Sequence, residues 1–244
     1  SLAGLPFPAG LDGRAFLGAA AAPARTYVYG ARDRVDEATD LSRAVRDARY
    51  LYIRNYHPDL SWNQPEGYSD QLPLRRELAR RAAAGQLNAA QMAYAGPTKP
   101  LELLYDTQGD PWQVRNLAGD PQLRPVLERM RKELRRWIVE TRDLGFMAEW
   151  QAQRLCADGR PMITAAAAES VYPLPRVLDT AERVGRPGSA AGFVRQLADE
   201  DPSVRYWAAL GLRAALRLSN AASADAVTLA NEATRAALRR ALDD

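Results

Sequence analysis

Leu101 to Leu117 read LELLYDTQGDPWQVRNL. Leu101, Leu103 and Tyr105 alternate with Glu102, Leu104 and Asp106, the period of a short strand with one wetter face. Asp106 to Asp110 is a cluster of turn formers, and Pro111 forbids the strand from continuing. Trp112 and Val114 then offer apolar anchors, and Asn116 closes the stretch with another turn former. The expectation is a strand, a tight reversal, and a loop pinned by an indole before a helix begins.

Working backwards, Thr26 to Gly30, Ser42 to Arg46 and Arg49 to Asn55 read as three more strands, the last two joined at Asp47-Ala48. Leu51 and Ile53 point one way while Tyr50, Tyr52 and Arg54 point the other, as in a half-buried antiparallel sheet. Residues 1–25 are punctuated by Gly and Pro and read as loop. Between the third and fourth strands lies a long insertion, Pro58 to Lys99. Trp62, Pro65 and Tyr68 mark its loop half; Leu74 to Ala84 is helical in period, Gly85 stops it, and Asn88 caps a short helix to Tyr94. Working forwards, residues 121–142 form the clearest helix. Leu123, Val126, Leu127, Met130, Leu134, Trp137 and Ile138 step by three and four along one face, with Asp120 as N-cap and Pro121 just inside. That stripe fits one face of a four-stranded sheet, with Trp137 and Leu134 as its core contacts.

After Gly145 the composition turns Ala-rich, with Pro173, Pro175 and Pro187 as interruptions. From Ser189 the pattern is two-helix: Phe193, Val194 and Leu197, a turn at Asp199 to Pro202, then Val204, Trp207, Ala208 and Leu212, with a second Ala/Leu helix over 224–242. The fold class is therefore α+β: a four-stranded antiparallel sheet with a packed C-terminal helix over residues 1–145, a helical connector over 146–188, and an all-α segment over 189–244.

The 244 residues are 47% hydrophobic and 26% charged, enough for one large core or two modest ones. With 33 basic against 30 acidic residues the net charge is only +3, so the charges interleave and predict no nucleic-acid partner. There is no run of eighteen apolar residues that would predict a membrane span. The chain opens on Ser1 without a basic-then-apolar leader, and both ends read as cut. His57 is the sole histidine, which excludes a His-based metal cluster or a Ser-His-Asp triad; it sits at a loop mouth, after a strand and before Pro58. Arg32-Asp33-Arg34-Val35-Asp36-Glu37 follows the first strand, and a planar guanidinium there suits an anion, or else the six residues neutralise one another. No Gly-rich phosphate loop is present.

Four segments resemble the formylglycine-dependent sulfatases. Glu102, Leu104, Tyr105, Asp106, Asp110, Pro111, Asn116 and Leu117 fall into the family wording ELYDL-x-x-DP-x-E-x-x-NL, with Gln113 or Val114 where Glu is usual. Leu11 to Leu17 resembles L-x-G-x-S-L with Ala15 for Ser, and Tyr50 to Tyr56 resembles the strand RYKYI-x-N with Leu51 for Lys. Gly30 to Glu37 resembles the G-A-R-D-R-x-D-E run of sulfatases similar to heparan N-sulfatase. The resemblance implies the C-terminal subdomain of an alkaline-phosphatase-like enzyme that hydrolyses sulfate esters or sulfamates of a sulfated saccharide. It implies Ca²⁺ and a formylglycine in a large N-terminal domain, which would be the partner of this chain; alone the chain would be inactive, with no catalytic or metal residues of its own. Arg32, Arg34 and His57 would then shape the substrate pocket, one arginine facing substrate. Cys156 and Arg160 mimic the C-x-P-x-R motif, but Asp158 stands at the Pro position and the segment follows the subdomain, so an incidental thiol is expected. Asp201-Pro202-Ser203-Val204-Arg205 with Ala208 and Leu212 resembles a HEAT repeat, in which the Asp caps the helix and the Arg braces the next repeat. Asp201 and Asp244 lie 43 positions apart, inside the roughly 40–47-residue repeat period, so the chain reads as stopping before a next turn that could hold a protein partner. The rival readings are a repeat scaffold and a sugar-binding module built on the aromatic loop Tyr56 to Tyr68.

Overall fold

The computed structural model describes residues 13–219 and, beyond them, 225, 228, 229, 231, 234, 236 and 237. Leu11 and Asp12, and most of the helix expected over 224–242, lie outside the described residues. Strands β1 (Val28–Arg32), β2 (Ser42–Arg46), β3 (Tyr50–Asn55) and β4 (Glu102–Asp106) form one antiparallel sheet in the order β1-β2-β3-β4. β1 lies two residues later than the residue types suggested. The reason is its partner: Val28 pairs with Arg46 and Arg32 with Ser42, so Thr26 and Tyr27 fall opposite the β2–β3 turn. That turn is tied by Asp47, whose Oδ1 accepts from the backbone N–H groups of Arg49 (2.8 Å) and Tyr50 (2.6 Å); Arg49 therefore belongs to the turn and not to β3.

The stretch after β4 works differently from the expectation. Asp106 does organise the reversal: its Oδ1 accepts from Gln108 and Gly109 N–H, and its Oδ2 accepts Arg49 Nη2 at 2.6 Å. The Arg49 guanidinium holds this carboxyl down at about 2. Trp112 and Val114, however, project into solvent, Trp112 at 86% exposure, and pin nothing. The anchor is Asn116. Its Oδ1 accepts from Leu104 N–H (3.0 Å), its Nδ2 donates to the Glu102 carbonyl (3.0 Å), and Leu117 N–H reaches the Leu104 carbonyl (2.8 Å). One amide side chain thus replaces a fifth strand and seals the free edge of β4.

Helix α3 (Arg124–Glu140) lies on the sheet face formed by Val45, Tyr52 and Leu104, which sit side by side across three strands. Leu127, Met130, Leu134 and Ile138 are its buried stripe. Trp137, expected in the core, is half-buried instead and stacks flat on Tyr29 at the β1 edge, ring centroids 4.7 Å apart. The insertion after β3 carries α1 (Pro73–Ala83) and α2 (Ala89–Ala95), the latter closed by an Asn88–Gln91 capping box.

Among the described residues the helices α4 (Glu149–Leu155), α5 (Met162–Ala165), α6 (Leu174–Ala181), α7 (Ala190–Gln196) and α8 (Pro202–Leu218) follow. They share one continuous core with the sheet. Tyr56 after β3 packs edge-on against Phe146 and Trp207, and Trp207 Nε1 donates to the Phe146 carbonyl at 2.8 Å. Arg54 of β3, 3% exposed, donates to the carbonyls of Glu182 and Val184, so a sheet residue satisfies the C-terminal end of α6. Asp201 caps α8 through Ser203 and Val204 N–H as expected. Arg205 donates to the Asp199 and Glu200 carbonyls of the turn before its own helix. Where Phe193 of α7 crosses α8 only a glycine fits, since a Cβ on Gly211 would lie 2.5 Å from the ring.

Candidate functional site

A cleft of about 890 Å³ opens where the β1–β2 loop, the turn after α3, α4, α5 and α8 meet. Arg34, His57, Arg142, Trp150, Tyr206 and Trp207 contribute to its wall. Two of the three residues singled out in the sequence, Arg34 and His57, are brought together here.

Arg34 is exposed at the rim. Its Nε donates to Glu149 Oε1 of α4 at 2.6 Å and its Nη1 to the Asp36 carbonyl. The Glu149 carboxylate holds the guanidinium above its ordinary value. Arg34 is therefore a paired cation with one face on the cleft, and the pair bridges the first half of the chain to the helical tail.

Arg32 lies behind the wall. It faces Asp40 (Nε to Oδ2, 3.6 Å) and sits over the Trp62 ring, 5.6 Å from its centroid. Asp40 is also gripped by Lys99, Nζ to Oδ1 at 2.6 Å, with both side chains fully buried and Lys99 over the same indole. Burial pushes the Lys99 ammonium below its ordinary value, and the Asp40 carboxylate opposes that shift. The Pro58–Lys99 insertion thus folds back to bury an ion pair beside the cleft. Trp62 reads in the sequence as part of an aromatic loop and Lys99 only as the end of the insertion, because neither has a local pattern that announces the pairing.

His57 is 3% exposed and stacks on Trp207 of α8, ring planes within 14° and centroids 5.6 Å apart. Arg213, one helical face further on, places Nη2 3.3 Å from His57 Nδ1 and holds the buried Asp59 with two contacts, 2.8 and 3.3 Å. Burial, then the positive charge of Arg213, pushes the imidazole down to about 4, against the attraction of Asp40 and Asp59. His57 is consequently neutral near pH 7. Arg213 is 156 positions away in the chain, and no local signal could have linked them.

The floor is fixed by Arg43 of β2, 1% exposed, which grips Asp143 through Nε (2.5 Å) and Nη2 (2.9 Å) and Asp33 through Nη1 (2.9 Å). Arg142 turns its guanidinium onto the carbonyls of Ala166, Ala168 and Tyr172. Asp33, Asp40, Asp143 and Glu149 line the cleft together with Arg34 and Arg142, so its charges are internally paired, and aromatic rings stand beside polar groups able to hydrogen-bond an oxygen-rich ligand. Among the described residues no cluster of three or more His, Cys, Asp or Glu could hold a metal ion. Cys156 ends α4 half-buried, and Asp158 beside it is paired with Arg160 at 2.6 Å on the surface.

No family model matches the chain. Among curated proteins it is similar to an ulvan-active sulfatase of Formosa agariphila, 42% identical over 133 residues, which is 54% of this chain and 22% of that protein. A second ulvan-active sulfatase of the same organism is 30% identical over 149 residues, 59% of this chain and 27% of the relative. The chain spans about a quarter of the length of these relatives. Over rather more than half its length it carries a sulfatase-related region.

Proposed function

We propose that the chain is the C-terminal part of a formylglycine-dependent sulfatase that acts on a sulfated saccharide, and that its cleft receives the sugar beyond the reacting sulfate. The observation that carries this reading is the 42% identity to an ulvan-active sulfatase over 133 residues. The paired Arg34, the neutral donor His57 and the half-exposed Trp150 beside them are chemically suited to sulfate and hydroxyl oxygens and to a sugar face. Formylglycine and Ca²⁺ would belong to other parts of the whole protein. Arg32 supports the wall from behind by pairing with Asp40. Residues 189–244 are read as a HEAT-like element. The test is sulfate release from ulvan-derived oligosaccharides by the full-length protein and by this chain alone. Release by the full-length protein and none by the chain is the expected outcome. Turnover by the isolated chain, or a full-length protein inert toward sulfated saccharides, would contradict the proposal.

A further inference from the structure

We propose that Arg213, on α8, is a positioning residue that fixes His57 as the Nε2–H tautomer, so that the helical tail sets a hydrogen-bond donor in the wall of the cleft. A guanidinium carries only donors, so the ring nitrogen it approaches must present a lone pair. Arg213 Nη2 approaches Nδ1 at 3.3 Å. In a neutral imidazole the proton is then on Nε2, the nitrogen left for the cleft that His57 lines. Arg213 is itself oriented: Asp59 takes its Nε at 2.8 Å and its Nη2 at 3.3 Å, and Arg217 stands one turn on at 3.6 Å from the same carboxylate. The result is a chain of command from carboxylate to guanidinium to imidazole, resembling the orientation of a metal-ligand histidine by an outer partner, but with a cation in the outer place.

The surroundings of the ring all favour this state. From α8 come Arg213 and the stacked Trp207; from the residue before Leu41 comes Asp40; from the loop after β3 comes Asp59; from the end of the insertion comes Lys99. Burial and the two cations disfavour the imidazolium, and the two carboxylates only partly offset them. An uncharged N–H donor recognises acceptor oxygens without adding positive charge. The ligand class it fits is a hydroxyl, ether or sulfate-ester oxygen of a saccharide; that part rests on the function proposed above, whereas the tautomer does not. The tail is, on this view, part of the binding wall and not an appendage.

Because His57 is the only histidine, its ring gives one set of signals in a long-range ¹H–¹⁵N spectrum of the ¹⁵N-labelled chain. The wild-type spectrum should show a single Nε2–H tautomer at neutral pH. Arg213→Leu should show mixed tautomers, with the titration midpoint raised from about 4, and Arg213→Lys, which keeps a donor, should restore the Nε2–H pattern. An Nδ1–H ring in the wild type, or an unchanged single tautomer in a folded Arg213→Leu protein, would overturn the proposal. If Arg213→Leu does not fold, the wild-type and Arg213→Lys spectra decide alone. Ulvan-derived sulfated oligosaccharide added to the wild type should move the His57 ring signals. The expected tautomer without any such movement would sink the saccharide reading while leaving the role of Arg213 intact.

Discussion

Replacing Asn116 by Ala removes the side chain that stands in for a strand at the β4 edge. The loss is countable. Leu104 N–H, Ala118 N–H and the Glu102 carbonyl each lose a partner at 3.0 Å, and Leu104, whose side chain is fully buried, lies on the edge strand β4. A hydrogen bond contributes about 1 kcal/mol net, so the loss of three should make Asn116→Ala destabilising by about 2–3 kcal/mol. Asn116→Asp keeps the oxygen that takes Leu104 N–H and loses only the bond to Glu102, for a cost of about 1 kcal/mol. Urea unfolding of the chain, followed by tryptophan fluorescence, measures both, with an unchanged slope showing that the unfolded state is the same. A loss below about 0.5 kcal/mol for Asn116→Ala, or equal losses for Ala and Asp, would refute the pseudo-strand reasoning.

Acidification tests the burial of His57. Its folded value of about 4 lies below the free value of 6.5, so between them the unfolded chain binds the extra proton and stability falls as pH falls. Wild type should lose about 2 kcal/mol more than His57→Gln between about pH 7 and pH 5, and equal slopes in urea titrations of the two would contradict the shift. Lys99→Met leaves the buried Asp40 with the Leu41 N–H and one long ionic contact, to Arg32, and should cost about 3–5 kcal/mol, part of it recovered by adding Asp40→Asn; a thermal midpoint unmoved by Lys99→Met would be incompatible with the buried pair. Trp137→Ala should cost about 1–2 kcal/mol, that of an edge stack on Tyr29, and well short of the 3–5 kcal/mol of a core tryptophan; denaturant titration separates the two.

What was readable in the chain was whatever repeats locally. The alternation of Leu51 and Ile53 with Tyr52 and Arg54, and the Leu127–Met130–Leu134–Ile138 stripe, fixed the sheet and its helix, because periods of two and 3.6 follow from backbone geometry alone. Trp137 was misplaced because an amphipathic stripe does not distinguish its centre from its margin. Trp112 differs from expectation for a related reason: apolarity does not ensure burial, and the anchor is a polar amide, Asn116. At the candidate site, the wording around Arg32, Arg34 and His57 points to loops that border the cleft or back its wall. It could not separate Arg34 at the rim from Arg32 behind the wall. That depends on Asp40, Lys99, Trp62, Glu149 and Arg213, and only tertiary folding brings those residues to the site.

The most direct test of the cleft as the saccharide wall is kinetic, in the full-length protein. Arg34→Ala and Arg32→Ala are compared on an ulvan-derived oligosaccharide and on a small aryl sulfate. The expected result is that Arg34→Ala lowers the ratio of kcat/KM, saccharide over aryl sulfate, by about tenfold, equivalent to about 1.4 kcal/mol, while Arg32→Ala leaves that ratio unchanged and lowers stability through Asp40. A ratio unchanged by Arg34→Ala would contradict the assignment and leave Arg34 and Glu149 as a surface ion pair.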